Sequence, residues 1–404
     1  MPAVSRRAVI ASASAALASA FAGPGSSRLT VSKKGGRYRT VQEAIDAVPR
    51  GNQSPCTIEV RKGVYTERLT VPRDKRFIRL VGEDPQNTVI TYNLSTATTA
   101  ETRYTASAYV FADDFQAENV SFENTYGVGS QAVALFVGAD RAVFRRCRFL
   151  GWQDTLYVNG PACHFVPQPL AATDANHCAA GRHFFDQCYI EGHVDFIFGD
   201  AAAVFRDCRI HSKGAGYVTA QSKTYPEQTS GFVFDRCRLT GENTCAGVYL
   251  GRPWRAYSQV VYRNCWLGAH IRPPGWSVWN DNHNHETSFY AEFQSEGPGA
   301  NPAARVPWSH QLTAEQAAGF TLPDFLKGAD SWNPGGSKRN SWSPSSVSGP
   351  RLCAHRIRGQ SPNPSSRRVV RCCRPASPSS MKPSPIPGAS SRLWTPVRRA
   401  GLWN

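Results

Sequence analysis

Metal-binding cysteine patterns are missing from this chain of 404 residues. It has 12 Cys and 10 His, yet no CxxC pair and no Cys/His cluster at zinc spacing. A zinc module is therefore excluded as its organising element. Equally absent is a Ser or Cys set in a nucleophile motif, so His193 and His211 have no partner for a serine- or cysteine-based triad. No apolar run reaches the roughly 20 residues a membrane helix needs; the nearest candidate is the short, Ala-rich stretch from Ala8 to Ala22. Acidic residues are missing from one region altogether. Gly335 to Asn404 holds 13 Lys/Arg and no Asp or Glu, and Arg6 and Arg7 add two more basic residues. Setting these aside, the formal charge of +16 falls to +1 for the stretch between. The basic balance is thus no footprint of nucleic-acid or membrane binding by the main domain, and neither partner is expected.

What is present divides the chain into three. Ser5-Arg6-Arg7, the apolar run and Gly23-Pro24-Gly25 have the order of an export signal, so residues 1–22 are expected to be a signal peptide of the Sec or twin-arginine type, and the protein to be secreted, extracellular or periplasmic. Residues 23–334 form the expected main domain. From 335 to 404 the composition turns Ser/Pro/Arg-rich without apolar periodicity, which predicts a disordered tail, with a basic binding arm as the alternative.

Five cysteines of the main domain recur in one pattern: an apolar residue, two mostly polar residues, Cys, one residue, an apolar residue. It runs Phe144 to Phe149 around Cys147, Phe185 to Ile190 around Cys188, and Phe205 to Ile210 around Cys208. It returns around Cys237 and Cys265, with a related unit at Phe115 to Phe122 carrying Asn119. Spacings of 20, 29 and 28 residues after Cys188 are those of a repeat architecture with coils of unequal length. Each unit is β-rich and cannot bury its apolar face alone, whereas stacking makes a continuous column. The prediction is an all-β, right-handed parallel β-helix, a single-stranded solenoid with short capping helices. Its five ladder cysteines are then packed thiols, not disulfides or metal ligands. Cys163 and Cys178, in a Pro/Ala/His-rich insertion, leave a loop disulfide open. Thr40 and Glu43 have capping-box spacing before Val41, Ala44, Ile45 and Val48, which predicts a helix covering the first coil; Thr313 and Gln316 predict a second.

Two segments place a carboxylate among apolar residues: Gly151-Trp152-Gln153-Asp154-Thr155-Leu156-Tyr157 and Gly192-His193-Val194-Asp195-Phe196-Ile197-Phe198-Gly199. Burying a carboxylate there is costly unless it is paired or used. Stacked coils can set Asp154 and Asp195 on neighbouring rungs, as acid and nucleophile; two aspartates satisfied by turn amides are the plainer alternative. Gln131 adds an amide in an apolar strand, and Arg252 a guanidinium beside the aromatic Trp254.

At these residues the chain resembles the pectinesterase (pectin methylesterase) family. GVYTE, QAVAL, QDTL, VDFIFG and LGRPW occur in family order between about Leu29 and Pro334, with GVYTE near the N-terminal coils taken as structural. The resemblance implies a reaction without metal or organic cofactor, on methyl-esterified pectin polysaccharide, by a monomer. Carried over, Asp195 is the nucleophile and Asp154 the acid and then the base. Gln131 and Gln153 are oxyanion donors, and Arg252 holds Asp195 ionised. Thr102, Gln131, Phe196, Arg252, Trp254 and Trp276 are the implied substrate contacts. The stretch from Asn159 to Arg182 stands as an insertion against shorter plant-type members and fits a bacterial-type member. Lys33-Lys34-Gly35-Gly36 departs from the usual acidic residue before glycine at the N-terminal cap. The alternatives are a β-helical pectate lyase or polygalacturonase, which needs a calcium-binding carboxylate cluster or carboxylates spaced about a sugar bond, and a non-catalytic carbohydrate-binding protein, which would not need the aspartate pair.

Overall fold

The computed structural model describes residues 27–160, 181–243 and 245–335. The expected signal segment, the Cys163/Cys178 insertion and the tail beyond 335 lie outside the described residues. Within them the chain winds through three parallel sheets, of 11, 8 and 7 strands, and each strand pairs with the one a full coil later. This is the parallel β-helix. One coil runs through Ala142–Arg145 of the first sheet, Arg148–Leu150 of the second and Leu156–Val158 of the third. The next repeats the path as Arg182–Asp186, Tyr189–Gly192 and Ile197–Gly199.

The repeated pattern explains the stacking. Its first apolar residue points inward, so Phe144, Phe185, Phe205, Phe234 and Tyr262 form a column with centroids 4.9, 4.7, 4.6 and 4.4 Å apart and planes within 12° of parallel. That is the strand spacing of a sheet, roughly 4.7–4.9 Å, imposed on the rings. The five cysteines form a second column; all are free and buried. The thiols of Cys188, Cys208, Cys237 and Cys265 point at the carbonyl of the aromatic residue one coil earlier, at 3.3–3.5 Å. Burial pushes the Cys147, Cys188, Cys208 and Cys237 thiols well above their ordinary range, which leaves them unreactive packing groups.

The residue before each cysteine turns the corner from first to second sheet. Arg146, Gln187, Asp207, Arg236 and Asn264 all have φ between 50° and 55°, as does Asn119 in the related unit. A left-handed residue at every coil is a cost that the column packing on both sides offsets.

Both predicted capping boxes form. Thr40 caps Val41–Asp46 with Glu43 reaching back, and Val41, Ala44 and Ile45 are buried over the first coil. Thr313 and Gln316 do the same for Ala314–Ala318. Glu67, the last residue of GVYTE, accepts from the Val41 and Gln42 amides at 2.9 Å each. Lys75 donates to the Ile45 and Asp46 carbonyls at the other end, at 2.9 and 2.8 Å. The first helix is thereby held at both ends by the sheet beneath it.

Candidate active site

Where the chain passes from the second sheet to the third, two successive coils each carry an aspartate in a left-handed turn: Asp154 at φ 63° and Asp195 at φ 50°. The coils are in register, since Leu156 pairs with Ile197 and the Asp154 amide donates to the Val194 carbonyl at 3.1 Å. Counting back two residues on each strand sets Asp154 and Asp195 side by side, one rung apart. Gly192 makes the second turn fit: a Cβ there would lie 2.3 Å from Phe196 Cβ and 2.5 Å from the Trp152 carbonyl oxygen.

Both carboxyls are buried, with 9% of Asp154 and 6% of Asp195 exposed. Their surroundings differ in one respect. Arg252 donates to Asp195 through Nε at 3.0 Å and Nη2 at 2.7 Å, a bidentate pair. Its guanidinium is itself clamped between the rings of Tyr217 and Trp279, 3.9 and 4.1 Å from their centroids. Asp154 has no such partner. Burial, and then the neighbouring Asp195 charge, push its carboxyl well above the usual range, with Arg252 opposing weakly. Burial raises Asp195 too, but there the hydrogen bonds and charge of Arg252 act directly against the rise. Arg252 thus sets the two carboxyls apart: the rise is large at Asp154, which has no cation beside it, and restrained at Asp195, which the guanidinium holds.

A cleft of about 700 Å³ opens over these two groups. Gln131 and Gln153 line it, and backbone hydrogen bonding joins their coils, the Ala132 amide donating to the Gln153 carbonyl at 3.1 Å. Thr96 donates from its hydroxyl to Gln131 Oε1 at 2.6 Å, which leaves the amide NH₂ as the end of Gln131 free for the cleft. Thr102 and Trp254 also line the cleft. Seven of the nine sequence-predicted residues are therefore gathered at one place: Asp154, Asp195, Gln131, Gln153, Arg252, Thr102 and Trp254.

The other two are not. Phe196 is fully buried in the solenoid core, because the left-handed turn at Asp195 interrupts the alternation and turns the next side chain inward. Trp276, 1% exposed, packs in the same core against Tyr262 and Tyr290. The aromatic wall is formed instead by Phe198, Tyr157 and Trp279. Phe198 stacks on Tyr157 at 4.1 Å, and Trp279 lies 6.1 Å from Trp254. Sequence reasoning missed these three and Thr96. Phe198 and Tyr157 had a usable signal, each standing three residues beyond one of the two aspartate turns. His193 and His211 do not line the cleft: His211 is engaged with Thr240 and Glu242, and His193 packs edge-on to Trp152. Among the described residues no group of three or more His, Cys, Asp or Glu could hold a metal ion.

Comparison with known proteins gives a consistent picture. The Pectinesterase family model matches residues 28–329. Pectinesterase 31 of Arabidopsis thaliana is 39% identical over 303 residues, which cover 72% of this chain and 89% of that protein. Two longer Arabidopsis thaliana relatives, each named probable pectinesterase/pectinesterase inhibitor, are matched over only 56% and 54% of their length. Among solved structures, pectin methylesterase from carrot aligns with TM-score 0.67 and 34% identity, over 77% of this chain and 96% of its own. A pectin methylesterase in complex with a hexasaccharide aligns with TM-score 0.63 and 29% identity, over 77% and 99%. The Arabidopsis thaliana and carrot relatives are plant proteins, while pectin methylesterase PemA from Erwinia chrysanthemi aligns with TM-score 0.63 and 28% identity over 77% of this chain and 99% of its own, so the comparisons do not set a bacterial-type member above a plant-type one.

Proposed function

Because the chain belongs to the pectinesterase family, we propose on that premise one reading of its cleft: it is an enzyme that hydrolyses the methyl esters of pectin to pectate and methanol, with Asp195 as nucleophile and Asp154 as acid and base. The observation that carries the reading is the split carboxyl pair, one member clamped by Arg252 and the other left without a cation.

In the first half-reaction an oxygen of the Asp195 carboxylate bonds to the ester carbonyl carbon, and the carbonyl electrons move to its oxygen. The amides of Gln131 and Gln153 donate to that oxyanion; one such donor contributes about 3–4 kcal/mol in other hydrolases. The oxyanion collapses, the bond to the methoxy oxygen breaks, and the Asp154 proton passes to it, releasing methanol and leaving an anhydride. Asp154, now a carboxylate, takes a proton from water as the water oxygen bonds to the acyl carbon. Collapse of this second oxyanion expels Asp195 as a carboxylate and frees the galacturonate acid. Trp254, Trp279 and Thr102 flank the polysaccharide. Export through residues 1–22 and action outside the cell as a monomer complete the proposal; no helix among the described residues is long and apolar enough to cross a membrane.

The test is methanol release from highly methyl-esterified pectin, with and without a calcium chelator, alongside absorbance for unsaturated products. Chelator-insensitive methanol without new double bonds or reducing ends is expected. Chain cleavage without methanol would overturn the reading in favour of a lyase or glycosidase.

A further inference from the structure

The outer face of the second sheet carries a feature the cleft does not use. Its in-register pairs Arg148–Tyr189, Tyr189–Arg209, Arg209–Arg238 and Arg238–Trp266 join five side chains into one row along the solenoid axis. The residues following each of them, from Phe149 to Leu267, are buried, so the row itself points outward, and its members are exposed or half-exposed. At the roughly 4.8 Å spacing of strands the row is about 19 Å long.

Its three cations have no ion-pair partner. Among the described residues no carboxylate lies within 4.0 Å of the Arg148, Arg209 or Arg238 guanidinium. Of the nearby acids, Glu191 pairs with Lys213 at 2.9 Å and accepts from the Tyr189 hydroxyl at 2.9 Å, and Asp207 pairs with Arg236 at 2.9 Å. The aromatic members hold the cations: Arg238 lies 3.5 Å from the Trp266 ring centroid, and Arg148 and Arg209 lie 5.2 and 5.9 Å from that of Tyr189. A guanidinium resting on a ring keeps its N–H edges free to meet an oxyanion. At one end of the row Arg148, Tyr189 and Arg209 line a groove of about 430 Å³.

We propose that this row is a second binding surface, separate from the cleft, for a linear acidic polysaccharide: the de-esterified galacturonan that the enzyme produces. Three cations within five rungs, interleaved with two aromatic rings, suit a polymer bearing one carboxylate per sugar and repeating on a similar length scale, and the row gains affinity only as esters are removed. A neutral, fully esterified chain has nothing for it. The surface would keep the enzyme on stretches it has already processed. The choice of polymer rests on the esterase reading.

The experiment titrates the full chain with fully de-esterified polygalacturonate at low salt, as wild type and as the triple variant R148Q/R209Q/R238Q. A roughly tenfold loss of affinity is expected, the scale of three exposed ion pairs, and it should shrink as salt is added. Turnover of a short methyl-esterified oligogalacturonide should be unchanged, and the triple Lys variant should keep most of the affinity. Unchanged binding in the Gln variant would overturn the proposal, as would an equal loss toward DNA of matched charge. Absent methanol release with an intact wild-type-to-variant difference would support the surface and end the esterase reading alone.

Discussion

Replacing Arg252 by Gln removes the cation from Asp195 while keeping a polar side chain between Tyr217 and Trp279. The carboxylate of Asp195 is 6% exposed and takes two hydrogen bonds from that guanidinium, at 3.0 and 2.7 Å. A hydrogen bond to a charged group contributes about 1.5–3 kcal/mol, and stripping one partner from a buried pair costs about 3–5 kcal/mol. Taking about 3 kcal/mol, at about 1.4 kcal/mol per pH unit, the Asp195 pKa rises by about 2 units. In the proposed mechanism Asp195 works as the carboxylate, so the acidic limb of the kcat/KM profile should move up by about 2 pH units. At a pH near the original limb the loss should be about 100-fold. Arg252 also opposes the rise at Asp154, though more weakly, so the alkaline limb should move up less and the bell should narrow. Arg252→Lys, which keeps the charge without the fork, should fall between. The assay is methanol release from pectin across pH, with circular dichroism to establish folding. A folded R252Q enzyme whose acidic limb has not moved would refute the assignment of Asp195 as a cation-held nucleophile.

Other outcomes follow from the same geometry. Asp195→Ala should abolish turnover with the fold intact; substantial methanol release from the folded variant would remove Asp195 from the nucleophile's role. Asp154 is held neutral by burial, so its contribution to stability is full below the ordinary carboxylate pKa and is lost as pH rises through its raised value. Asp154→Asn should therefore be inactive, yet gain melting temperature over the parent as pH rises from 4 to 9; a gain that shrinks with pH contradicts the sign. Trp279→Ala opens one side of the Arg252 clamp and the cleft wall, and should raise KM several-fold more than it lowers kcat. Phe205→Ala removes a ring stacked on both sides at 4.7 and 4.6 Å, and should cost about 3–5 kcal/mol. Scanning calorimetry should then register a fall in Tm of at least about 6 °C, and a smaller drop would mean that the column closes over the gap.

Much of this was legible from residue spacing. The Cys-centred pattern foretold the columns because each coil repeats the same inward positions, and the two capping boxes foretold their helices because both partners are local. The corner residues were not legible. Arg146, Gln187, Asp207, Arg236 and Asn264 share a left-handed backbone but no side-chain chemistry, and the packing of adjacent coils selects that conformation. The same device hid the aromatic wall. Alternation along VDFIFG is reset at Asp195, so Phe196 goes in while Phe198 faces the cleft beside Tyr157. Trp276 and Trp279 stand three residues apart in one loop, and only the packing of the former on Tyr262 and Tyr290 tells core from wall.

The two carboxyls proposed as acid and nucleophile are 41 residues apart in the chain and one rung apart in the fold, and residues 161–180 lie between them. Across that interval the ladder resumes without a shift: Val143 meets Phe184 and Leu156 meets Ile197. Register is rewritten at every turn by the coil below, so it carries no record of how much chain came between. The interval is therefore an exchangeable part. Lengthening, shortening or grafting it is expected to leave the spacing of Asp154 and Asp195 as it was.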